Sequence, residues 1–193
     1  VFAWSDANRV ANGGYAPGAW NAQAGTSTNM NSQLMALIGQ VSGGVSEGCY
    51  PVINRCNIFL ENYETLSDAD KKKMEGRRGE ILFLRTYAYF ILSNTFGAVP
   101  IMTKSVSGMP ENFYYPKGTL EELYSMLIND MKEAVEILPA TTGDLGRITK
   151  PAAATFLAKL FLVRAQGAEF QNSSEPTLKA LYKGTDSEDL DNA

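Results

Sequence analysis

Residues 76–102 read GRRGEILFLRTYAYFILSNTFGAVPIM, and this stretch decides the fold. From Glu80 to Phe90 nearly every residue is apolar or aromatic, and Arg85 is the single internal charge. Ile81, Leu84, Ala88 and Ile91 recur at spacings of three and four, the period of one helical face. Leu82, Phe83, Tyr87, Tyr89 and Phe90 fill the flanks, so the pattern predicts a central helix covered on several sides. The run is shorter and more interrupted than the roughly 20 apolar residues a bilayer span needs. Gly97 supplies a stop and Pro100 follows, the usual order at a helix C-terminus.

Toward the N-terminus, Ser67-Asp68-Ala69-Asp70 forms a cap with acids in the first turn. A helix starting there passes through Gly76 into the central one. Its basic run, Lys71 to Lys73 with Arg77 and Arg78, reads as a solvated face, with an anion site as the alternative. Before it, Tyr50, Ile53, Asn57 and Leu60 mark another helical stripe, from about Gly48 to Tyr63, with Pro51 in the first turn. Cys49 and Cys56 on that helix stand about 10 Å apart along its axis, too far for a disulfide, and read as small core hydrophobes. Residues 1–45 differ: Gly, Asn, Ser and Thr dominate, with one short apolar piece from Leu34 to Val41. Trp4, Tyr15 and Trp20 lie there among Asp6, Asn8, Arg9, Asn12, Asn21 and Gln23. Such rings either pin a loop onto the body or present a stacking surface for sugar rings, whose hydroxyls the nearby amides and carboxylates would bond.

Toward the C-terminus, residues 98–118 form an extended connection with Pro100, Pro110 and Pro116. Its Phe113-Tyr114-Tyr115 triplet reads as a clamp onto the body, with a ligand surface as the alternative. Thr119-Leu120-Glu121-Glu122 is a capping box. The helix it opens puts Leu120, Leu123, Leu127, Met131, Ala134 and Leu138 on one face and ends before Pro139. Thr149 caps a further, nearly all-apolar helix containing Ala153, Ala154, Phe156, Leu157, Leu160, Phe161 and Val163, ending near Gly167. A slide of 73 residues sets Phe83-Leu84 on Phe156-Leu157, and one of 74 sets Tyr50, Ile53 and Asn57 on Tyr124, Leu127 and Met131. The chain thus reads as all-α, with a loop-rich segment over 1–45, two stacked tetratricopeptide-like hairpins over 46–167 and an irregular tail over 168–193. The tail carries the acidic run Asp186 to Asp191. Val1 is not Met, and the chain reads as a portion of a longer one.

Composition narrows the chemistry. The 193 residues are 45% hydrophobic and 20% charged, ordinary for a globular chain, with a net charge of −4 that offers nucleic acid no basic face. Histidine is absent, which removes the commonest general base and transition-metal ligand. No nucleophile–base pair, metal cluster or phosphate loop stands out, so neither an enzyme nor a metal or cofactor is expected.

Four segments together resemble the SusD/RagB family. GEILFLRTYAYF at 79–90, then FGAVPI at 96–101, is similar to that family's F-L-R-A-Y-x-Y-F helix and Y-G-x-V-P-L exit turn, with Thr86 in place of Ala and Phe96 in place of Tyr. Tyr50-x-x-Ile53-x-x-Cys56-Asn57 resembles its Y-x-x-I-x-x-A-N. Tyr124-x-x-Leu127-Ile128-x-Asp130-Met131-x-x-Ala134 through Leu138-Pro139 resembles its Y-x-x-I-x-x-D-L-x-x-A-x-x-x-L-P. Gly146-Arg147-Ile148-Thr149-Lys150 with Ala152-Ala153 and Leu157-Ala158-Lys159 resembles its G-R-x-T-K-x-A-A-x-x-L-A-K. The resemblance implies binding of glycans at the cell surface and a lipid anchor, outside this sequence, in the outer membrane. It also implies a SusC-like TonB-dependent transporter as partner. Arg85 and Arg147 are implied to satisfy helix ends or neighbouring backbone. By position alone, Trp4, Asp6, Tyr15, Trp20 and Asn21 are the candidate ligand residues. Capture of peptides or another nutrient, and a purely helical protein-docking scaffold, are the alternative functions.

Overall fold

The structure, a computed structural model, describes residues 48–108 and 114–171. Close contacts divide the chain into two compact units, Val1–Val52 and Ile53–Ala193. Of the first, the described part is the opening turn of a helix. The second holds nearly everything that follows.

Helix α1, Cys49–Glu64, carries Pro51 in its first turn, where no intrahelical N–H is lost. A tight turn follows, with the Thr65 and Leu66 amides donating to the carbonyls of Asn62 and Tyr63 at 3.1 and 3.2 Å. Helix α2 is one unbroken element, Asp68–Phe96, with Gly76 inside it as expected. Ser67 caps it by accepting from the Asp70 amide, and Asp68 and Asp70 place negative charge at its positive end. Gly97 ends it at φ 71°, where a side chain would be strained. Helix α3, Leu120–Ile137, opens on the full capping box: Thr119 accepts from the Glu122 amide while the Glu122 carboxylate accepts from the Thr119 amide. Helix α4 spans Lys150–Gln171 and so runs past Gly167.

Helix α3 packs between α2 and α4. Its predicted face is its buried face: Leu123, Leu127, Met131 and Ala134 have no exposed surface. Phe156 of α4 reaches α2 as well, with its ring 5.4 Å from Phe83, 5.7 Å from Tyr87 and 5.2 Å edge-on from Phe90. Gly79 lets the backbone of α2 approach the end of α3, since a Cβ there would lie 2.9 Å from both Ile137 and Leu138.

The expected stripe of α2 is corrected. Of Ile81, Leu84, Ala88 and Ile91, only Ala88 is buried, and Leu84 is 41% exposed. The deep face is Leu82, Arg85, Thr86, Tyr89, Leu92 and Ser93. Apolar periodicity missed it because half of that face is polar, with Arg85 and Ser93 matched to polar groups on α1 and α3. Tyr114 also departs from the expected clamp: it is 87% exposed.

Candidate functional site

Trp4, Asp6, Tyr15, Trp20 and Asn21 lie outside the described residues, as does Phe113. The described residues hold a buried polar network and the loop that it anchors.

Arg85 is the centre of the network. Its Nε and Nη2 donate to the two carboxylate oxygens of Asp130 at 2.8 Å each, a fork-to-fork pair, and its Nη1 donates to Asn57 Oδ1 at 3.0 Å. With its acceptor so occupied, the Asn57 amide turns its Nδ2 to the carbonyls of Met102 and Lys104, at 2.8 and 3.0 Å. Asn57, Arg85 and Asp130 are all buried. Burial raises the Asp130 carboxyl above its ordinary pKa, and the Arg85 charge opposes that rise. Arg85 therefore bonds side chains rather than helix ends or neighbouring backbone. Arg147 is corrected likewise: its Nε donates to Glu80 Oε1 at 2.7 Å and its Nη2 to Glu80 Oε2. The geometric reason is the same for both: a guanidinium matches a carboxylate better than it matches separate carbonyls.

The connection from Gly97 to Thr119 is fastened in two places. At its stem, Pro100 and Lys117 form an antiparallel bridge, and the Gly118 amide donates to the Val99 carbonyl at 3.2 Å. Gly118 lets Ile101 pack close, since a Cβ there would fall 2.6 Å from Ile101 Cδ1 and the Ile101 side chain would have to shift. Along its outgoing arm, α1 and α2 supply side chains to the backbone. Tyr89 Oη accepts from the Met102 amide at 2.6 Å, Glu61 Oε1 from Ser105 at 2.7 Å, and Asn54 Oδ1 from Val106 at 2.9 Å. Hydrogen bonding from Ser105 holds the Glu61 carboxyl below its ordinary pKa.

A cleft of about 400 Å³ opens beside the network, lined by Leu60, Leu82, Glu61, Thr103 and Lys104 and by charged residues of α1, α2 and α3. Its charges are largely spent on each other. Arg78 pairs with Glu133, Arg85 with Asp130, and Glu64 with Lys71 at 3.4 Å. The basic run is neutralised in the same way, with Lys73 on Asp70 and Arg77 on Glu80, which leaves an anion little free charge. Cys49 and Cys56 are buried free thiols. Burial pushes both pKa values up to about 11, so at neutral pH neither supplies a thiolate nucleophile. Among the described residues no cluster of metal-ligating side chains occurs, and no helix is long and apolar enough to cross a membrane.

Comparison with known proteins places this scaffold. Residues 18–162 match the profile of the SusD-like family described as starch-binding, associating with the outer membrane. A SusD-like protein of Bacteroides ovatus is 32% identical over 138 residues, 69% of this chain and 24% of that one. The starch-binding protein SusD of Bacteroides thetaiotaomicron is 30% identical over 111 residues, 57% of this chain and 19% of its own. A protein crystallised with a xylogluco-oligosaccharide superposes with a TM-score of 0.55 at 30% identity, over 61% of this chain and 23% of that one. The chain thus spans a quarter or less of the length of these relatives. The four helices are the tetratricopeptide-like hairpins of such structures, and the chain belongs to the SusD-like family of outer-membrane-associated, carbohydrate-binding proteins.

Proposed function

We propose that this chain is part of a cell-surface glycan-binding protein that delivers its ligand to a SusC-like TonB-dependent transporter, held at the outer membrane by a lipid anchor. The observation that carries the reading is the family match over residues 18–162. The geometry is consistent with it. The helical body commits Arg85, Asp130, Asn57, Glu80 and Arg147 to one another, so it acts as a scaffold rather than as a reactive centre. Ligand contacts then fall to loops, which can vary without disturbing that scaffold. Trp4, Tyr15 and Trp20 are the proposed stacking rings, with Asp6 and Asn21 bonding sugar hydroxyls.

Calorimetric titration of the full-length protein against soluble polysaccharides and a peptide mixture tests this. We expect saturable binding to a glycan, weakened in Trp4→Ala or Trp20→Ala while the fold is retained. Peptide binding without glycan binding would replace the reading with peptide capture. A second reading, a protein-docking scaffold, is favoured by one observation: Leu84 and Leu162 are 41% and 46% exposed on α2 and α4. Failure of every glycan and peptide to bind would favour it.

A further inference from the structure

We draw no further inference here: the strongest candidate, the exposed apolar surface of α2 and α4 at Leu84, Tyr87 and Leu162, carries nothing, because nothing in the structure shows what covers it in a chain that spans a quarter or less of its relatives' length.

Discussion

Thr86 has no exposed surface, and its Oγ1 is buried without a hydrogen-bond partner among the described residues. A buried hydroxyl left unbonded costs about 1–3 kcal/mol, because its hydration is lost and nothing replaces it. Its neighbour in sequence shows the opposite condition, since every nitrogen of the Arg85 guanidinium has a partner. The two residues should therefore respond to apolar substitution in opposite directions. Thr86→Val, which keeps the shape and removes the unbonded oxygen, is expected to stabilise the protein by about 1 kcal/mol, or a rise of about 2–4 °C in Tm. Arg85→Met should cost about 3–5 kcal/mol, because it strands the Asp130 carboxylate in the interior. Urea and thermal unfolding of the two variants check this. A loss of stability in Thr86→Val would show that its hydroxyl is satisfied in solution.

At the scale of elements, α2 and its two glycines carry the argument. Nothing lies within 4 Å of a Cβ built on Gly76, whereas one on Gly79 meets Ile137 and Leu138 at 2.9 Å. Gly76→Ala should then stabilise the protein by about 1 kcal/mol through helix propensity and a less flexible unfolded chain. Gly79→Ala should destabilise it by about 1–3 kcal/mol by forcing α2 away from α3. Equal effects at the two sites in thermal unfolding would contradict the close packing described. Both ends of α2 and the start of α3 were legible because caps are local: Ser67, Gly97, and the Thr119–Glu122 box each act within one turn. The face of α2 was not legible, because what buries Arg85 is the chemistry of Asn57 and Asp130 on other helices. The bland reading of the cysteines held for the same local reason, while the partners of Arg85 and Arg147 required the tertiary fold.

At the scale of the molecule, the 74-residue shift seen in the sequence sets Ile53 on Leu127, and both are fully buried. Asn57 and Met131 are equivalent by the same shift but differ in kind: the first hairpin spends its position on a polar anchor and the second on a hydrocarbon contact. The connection between Pro100 and Lys117 was legible as such, but the exposure of Tyr114 was not, since no pattern in the sequence distinguishes a clamping ring from one held in water. The buried network also has a temporal consequence. Arg85 and Asp130 are 45 residues apart in sequence, and so are Asn57 and Met102, whereas each helix is closed by bonds four residues long. Contacts of such long range pay loop-closure entropy before they reward it, so they assemble after the helices do. Disturbing the network should then leave the rate of folding almost untouched and speed the reverse step. In stopped-flow measurements Asp130→Asn is expected to shift the unfolding limb and not the refolding limb. The Arg85 lock thus acts chiefly as a brake on the native state's escape, setting how long residues 102–106 stay fastened to the helices once they have docked.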